Sequence, residues 1–296
     1  AGDRPVNTDS GAVTSTGSVD VSDVDGGEGV LVGEDIALPE GLIDISGATG
    51  GELSVYARDE LNLGVTVDAA GGGHALFDPA TFTVNAAEAA TIVSTLAGGN
   101  ATVEASETIN VDAAINSSAQ GNSNTLAYTD ENSDNNLTIN LNALLPLGAS
   151  QSLTGEGSTV NVTVTDPGIV GNAVNVAAAG ATVNLGAGTY REGRQLILNS
   201  DVTLNGTGPS TVLDGNGAHR LLLIQTWVTA TVNNLTLSNG FEDDAGGILN
   251  NGTLTLNNST VSGNSAIFRG GGSSNDGTLT LSNSAVSGNT TNNESG

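Results

Sequence analysis

The sequence predicts an all-β protein, a right-handed parallel β-helix (β-solenoid) with one short helical insertion. Three observations predict it. The stretch GGILNNGTLTLNNSTVSGNSA from Gly246 returns from Gly271 as GGSSNDGTLTLSNSAVSGNTT, an offset of 25 residues. Within each copy Leu254 and Leu256, then Leu279 and Leu281, alternate with threonine, a period of two with one apolar face. Between the copies no segment is long and periodic enough for a helix, and Asn-Gly, Gly-Asn and Gly-Gly supply the turns. A unit of this length cannot bury its apolar face alone and must stack on copies of itself.

The chain has 296 residues, enough for about a dozen coils of roughly 20–25 residues. At about 4.8 Å per coil such a stack is roughly 55 Å long. Aromatic residues are scarce, which suits a narrow core column of Val, Leu, Ile and Ala. The regular apolar alternation argues against disorder, except at the N-terminus.

The net charge is −26, and all six basic residues are arginine. That excludes nucleic acid as a partner, because too little positive charge is available to neutralise phosphates. It also argues against anionic lipid headgroups. No apolar run reaches the roughly 20 residues needed to span a membrane. Cysteine is absent, so thiol and disulfide chemistry are excluded. Methionine is absent even at position 1, as after removal of a secretory signal. The expected location is outside the cell, secreted or at the cell surface.

Residues 1–30 read as an acidic arm, residues 31–165 as a first solenoid segment and 166–296 as a second. In the arm Val19, Val21 and Val24 stand among Ser and Asp, a loose segment or a strand that needs a partner. From Leu31 successive strands follow at Leu42–Ile45, Leu53–Tyr56 and Leu61–Val67, separated by glycines. A helix is expected over Ala86–Leu96, with Asn85 as N-cap, Glu88 completing a capping box and Gly98-Gly99 ending it. Its apolar face would be Ala89, Ile92, Val93 and Leu96, and its job would be to cover one side of the solenoid. Strands resume at Ala101–Val103 and Ile109–Val111. Residues 117–136 read as a polar loop, and strands return at Leu137–Leu141 and Val160–Val164. A seam is placed near Asp166-Pro167-Gly168.

Two resemblances accompany these patterns. IDISGATGGELSVYARDELNLGVTVDAAGGG and the following FDPATFTVNAAEAATIVSTLAGGN resemble filamentous-haemagglutinin-type secreted surface proteins, over about residues 40–165. Beyond the seam, Gly188-Thr189-Tyr190, Leu196-Ile197-Leu198 and Val202–Gly206 resemble the opening coils of pectin-lyase-like right-handed β-helices. The 25-residue repeats that follow have the flavour of bacterial surface β-helix proteins. Both resemblances imply the same coil architecture and a surface-protein setting.

An enzyme of this build that cleaves acidic polysaccharide would need a base and a group to neutralise a uronate, or clustered carboxylates. The best cluster is His219-Arg220 beside Asp214, with Trp227 able to stack on a sugar. The competing reading makes the arginines surface residues, and the expectation here is no catalytic residue. Calcium has better ligand sets. Asp20, Asp23, Asp25 and Glu28 surround a Gly-rich turn, and Glu242-Asp243-Asp244 precede Gly246-Gly247. Ca²⁺ takes several carboxylate and carbonyl oxygens, while the competing reading of each segment is a solvated acidic loop. The repeated Asn258/Asn283 and Asn264/Asn289 suggest side-chain ladders along the coil axis.

No cap follows the last repeat. Leu279, Leu281 and Val286 would then be open to another coil, from a second copy stacked head-to-tail or from a larger surface protein. The valines of the arm would add as a strand to a neighbour. The expected function is a secreted, non-enzymatic structural solenoid, part of an adhesin or an extracellular filament, with surface glycans as a further partner. The alternative is a polysaccharide-active enzyme or carbohydrate-binding β-helix.

Overall fold

The computed structural model describes residues 28–134 and 136–292, without the side chain of Asp59, and the backbone of Val6–Asn7, Val13–Thr14 and Val19–Asp20. Parallel strands form a β-solenoid of about 10 turns. The chain divides into two compact units, Ala1–Gly157 and Ser158–Gly296. Turns number fewer than 20–25-residue coils would give because coil length varies. Asn184 and Asn205 are one turn apart at 21 residues, Asn110 and Asn140 at 30.

In the first unit one sheet runs Glu28–Leu38, Glu52–Leu63, His74–Pro79, Asn100–Ala105, Thr125–Asp130 and Ser152–Gly155. Register turns strand alternation into columns. Leu31, Val55, Phe77, Val103 and Tyr128 are successive partners, and each is at most 6% exposed. A second stack pairs Thr81–Val84, Thr108–Val111 and Thr138–Leu141, burying Phe82, Ile109 and Ile139. A third pairs Val19–Asp20, Leu42–Asp44 and Thr66–Asp68. The arm therefore has partners within its own chain: Val6–Asn7 and Val13–Thr14 also pair with Glu28–Leu38.

Helix α1 (Ala86–Gly98) forms where the sequence places it, with the Asn85/Glu88 capping box and an end at Gly99. Its buried face carries Ala89, Ile92 and Leu96, as expected, but also Glu88, Thr91 and Thr95. The polar members complete backbone bonds around the strand Thr66–Asp68. Glu88 Oε1 accepts from Leu63 N at 3.0 Å, Ser94 Oγ from Val67 N at 2.9 Å, and Thr91 Oγ1 donates to Val65 O at 2.8 Å. A sheet edge that would otherwise hold unpaired amides is closed by side chains. The last carbonyls of α1 are met from later turns, Leu96 O by the amides of Asn122, Asn124 and Gln151, and Val93 O by Gln120.

Two expectations are corrected. The polar loop over 117–136 contains the strand Thr125–Asp130. Only Leu126 and Tyr128 are large apolar residues pointing inward there, so the alternation is short and flanked by Asn and Ser. A second helix, α2 (Ile169–Val176), follows the Asp166-Pro167-Gly168 turn. Ile169, Val170, Ala173 and Val176 are its buried residues, a helical spacing obscured by Gly171 and the β-branched valines. Its N-cap is Gly168, without a side-chain bond, and Glu192 supplies the acceptor instead, from Val170 N at 3.0 Å and Gly171 N at 2.8 Å.

The second unit has four stacks. The longest runs Gly157–Val162, Ala177–Leu185, Val202–Asn205, Thr229–Asn233, Thr253–Asn257 and Thr278–Ser282. Its inward column includes Val183, Leu204, Val232 and Leu256, at most 1% exposed. The 25-residue repeat is one turn, since Leu254 pairs with Leu279 and Val261 with Val286. At the Asp276-Gly277 turn, stacked on Asn251-Gly252, a side chain would not fit: a Cβ on Gly277 would stand 2.0 Å from Gly252 O.

One amide column forms where expected. Asn264, 1% exposed, bonds through N and Nδ2 to Asn289 Oδ1 at 2.9 and 3.0 Å. Asn258 and Asn283 are different, because both adopt φ 50° and serve as left-handed turn residues. Further side-chain bonds along the axis run through other asparagines, among them Asn234, itself at φ 57°. Asn184 donates to Asn161, Asn205 to Asn184, Asn234 to Asn205 and Asn257 to Asn233.

Candidate functional site

Of the residues singled out for calcium, Glu28 and Glu242–Asp244 have described side chains. Asp23 and Asp25 lie outside the described residues, as do Val21 and Val24. Asp20 is described only as backbone, in register with Asp44. Glu28 opens a strand and is exposed. Glu242, Asp243 and Asp244 were expected in a turn, but they form the strand Phe241–Asp244. Strand geometry sends successive side chains to opposite faces. The carboxylate of Asp244 meets Arg269 Nε at 3.3 Å, and Glu242 Oε1 accepts from Asp243 N. Among the described residues no group of three or more His, Asp or Glu side chains could hold a metal ion. Glu242–Asp244 thus lie in a strand segment whose last member is ion-paired.

His219-Arg220 beside Asp214 is drawn into the framework. Arg220 is 9% exposed and donates from Nε to Ala245 O at 2.9 Å, from Nη2 to Asp244 O at 2.6 Å, and from Nη1 to Gln195 Oε1 at 3.0 Å. Its fork clamps neighbouring turns and leaves little to offer a ligand. His219 Nδ1 lies 2.8 Å from Arg220 O. Asp214 is buried and pairs with Arg191 Nη2 at 3.0 Å. Burial works to raise its carboxyl, but Asn216 N–H, the Asn239 amide and Arg191 outweigh that and hold it below the ordinary range. Burial also pushes Glu192 up, opposed by the Gly171 and Val170 amides and by Arg194 and His219. An open polar groove of about 400 Å³ runs past Arg191, Asp214, Asn216 and Asn239.

Sequence reasoning missed a carboxylate column on the outer face of the first unit. Asp78 and Glu104 sit at one station of adjacent turns, the next turn holds Thr129 there with Glu131 two residues on, and Glu156 follows on the turn after. Asp78 and Glu131 line an open cleft of about 400 Å³ whose rim holds Tyr56 and the Glu34–Arg58 ion pair, at 2.9 Å. Partial burial, then Glu131 and Glu104, push the Asp78 carboxyl up to about 6. Glu104 is raised by burial, then by Glu131 and Glu156. Asp78 and Glu104 thus hold their protons to higher pH than ordinary carboxyls do. The signal in the sequence is the recurrence of an acid one position after an inward residue, after Phe77 and again after Val103.

The assembly residues of the last repeat are exposed. Leu281 is 46% and Val286 42% exposed, with Leu279 half-buried. Val19 is in register with Ile43 of the same chain. Among the described residues no helix is long and apolar enough to cross a membrane. Comparison of the chain with family models, with curated proteins and with solved structures gave no match.

Proposed function

We propose that this chain is an extracellular, non-enzymatic structural solenoid, a rod segment of a cell-surface adhesin or the subunit of an extracellular filament. On this reading it is extended by further coils stacked on its last described turn. The supporting observation is the contrast between two successive copies of the repeat. Leu254, Leu256 and Val261 are at most 1% exposed, whereas of their register partners Leu281 and Val286 are exposed and Leu279 is half-buried. A turn with the sequence of a buried turn fits another turn of the same build. Covering each of these side chains is worth about 1.5–3 kcal/mol at full burial. A second copy is the occupant we favour, since a head-to-tail contact that does not close gives a filament. Participation of the arm requires exchange, with the Val19–Ile43 pairing given up within the chain and remade with a neighbour. Ca²⁺ enters this reading as a counter-ion for a strongly acidic surface.

Negative-stain electron microscopy tests it, with millimolar Ca²⁺ and with a chelator. Wild type is expected to form fibres, and a Leu281→Asp/Val286→Asp variant single particles. Single particles from wild type in both conditions overturn the filament. Fibres from the variant overturn stacking through the last turn. Fibres lost on chelation assign calcium a role in assembly.

A further inference from the structure

Trp227 is the one tryptophan of the chain and is 94% exposed. Its backbone lies at φ 71°, a region that bulky L-residues rarely adopt. It is carried on an enlarged turn. Register fixes Gln225–Val228 between Ile224 and Thr229, four residues, where the next two turns have only Asn251-Gly252 and Asp276-Gly277 at the same station. The preceding turn has only Asn199-Ser200 ahead of Asp201. The indole therefore projects beyond the coils on both sides.

Nothing in the fold uses it. The turn is closed by Val228 N donating to Gln225 O at 3.2 Å and by Thr229 N donating to Asp201 Oδ1 at 2.6 Å. Polar residues flank it in the same turn and at the same station of the adjoining turns, with unused side-chain capacity. The side chains of Asn199, Gln225, Thr226 and Asn251 make no hydrogen bond among the described residues. A strained backbone position without compensating burial is where an observed outlier points to a ligand.

We propose that Trp227 is a stacking platform for the C–H face of a neutral hexopyranose ring in a polysaccharide, with the amides and hydroxyl around it bonding the ring hydroxyls. An exposed aromatic face with amides and a hydroxyl at neighbouring stations matches a sugar, which is apolar on one face and polar at its edge. A protein hot spot would want an apolar, desolvated surround instead. The charge of −26 selects neutral glycans over uronate or sulfated ones. The inference does not depend on end-stacking, because Trp227 lies on a lateral turn between two complete coils.

The single tryptophan makes the test direct. Soluble hydroxyethyl cellulose and galactomannan are the neutral probes and polygalacturonate the anionic one. Two readouts are used on the full chain: native affinity electrophoresis and tryptophan emission. Wild type is expected to be retarded by at least one neutral polymer, with a saturable blue shift, and Trp227→Ala to lose about tenfold or more in apparent affinity. Trp227→Gly, which suits the left-handed backbone, is expected to match or exceed wild type in thermal stability while also losing retardation. Wild type unmoved by both neutral polymers overturns the proposal. So do equal retardation of Trp227→Ala, equal binding of polygalacturonate, or unfolding of Trp227→Gly, which would make the indole structural.

Discussion

Replacing Asp78 with Asn removes one charge from the carboxylate column with little change of shape. Asp78 makes no hydrogen bond among the described residues, so the amide forfeits none. Its carboxyl is raised from 3.8 to about 6 in the folded chain. The folded state therefore holds the proton more tightly than the unfolded state. The stabilisation this brings is complete below pH about 4 and is lost as pH rises through about 6. A gap of about two units corresponds to about 3 kcal/mol, and screening of a half-exposed group reduces that to about 1–2 kcal/mol. Asp78→Asn is thus expected to unfold in urea at a higher midpoint than wild type at pH 7.5, by about 1 kcal/mol with an unchanged slope, and at the same midpoint near pH 4. Added salt is expected to narrow the gap at pH 7.5. A variant equal to or weaker than wild type at pH 7.5, or a gain that is the same at both pH values, would refute the reasoning.

Three further outcomes follow from the packing. Arg220→Ala leaves the carbonyls of Ala245 and Asp244 without their donor, and a loss of about 3 kcal/mol is expected in denaturant titration. Arg220→Lys should recover little of it, because an ammonium cannot reproduce the fork. Glu88→Ala strands Leu63 N and leaves Asn85 N only Thr83 O, with an expected loss of about 1–3 kcal/mol and faster hydrogen exchange at Leu63. Leu254→Ala should cost about 2–5 kcal/mol as a buried cavity, whereas its repeat partner Leu279→Ala should cost under about 1 kcal/mol in the unassembled chain. Equal losses from the two would mean that the last turn is already covered.

What could be read from the sequence was local or periodic. The 25-residue offset is the coil register itself, and Asn85-x-x-Glu88 caps α1 by a rule confined to four residues. What could not be read depends on which turn lies next to which. Coil lengths run from 21 to 30 residues, so spacing alone does not bring Glu104 beside Asp78, or Gln151 to the end of α1. The Asn257-Asn258 doublet shows the limit at single-residue scale. One asparagine faces the ladder and the next takes the left-handed turn, and a slip of one exchanges their roles. Arg220 was legible as a basic group but not as a buried clamp, because its partners are the backbone carbonyls of a turn 24 and 25 residues on.

The stacking that makes the fold also decides what each column can tolerate. A side chain in a solenoid meets its counterpart about 4.8 Å along the axis, so the chemistry of one position is multiplied by repetition. An asparagine both donates and accepts, and a run such as Asn161, Asn184, Asn205 and Asn234 satisfies itself by passing each Nδ2 to the previous Oδ1. A carboxylate only accepts, and Asp78 and Glu104, which make no hydrogen bond among the described residues, are relieved only by water, a proton or a cation, whereas Glu156 accepts from Asp130 N. The two columns therefore answer differently to the medium. The amide ladder carries no titrating group and has no cause to respond to pH, whereas the acidic column weakens its turns as protons are lost. With interactions confined to nearest neighbours, that response stays local to the turns carrying it. A chain of such acidity can thus remain a regular stack because most of its charges are placed on outward stations, where solvent reaches them, while the buried Glu88, Asp130, Asp214 and Arg220 are hydrogen-bonded or ion-paired and the inward columns are left to Val, Leu, Ile and a few aromatics.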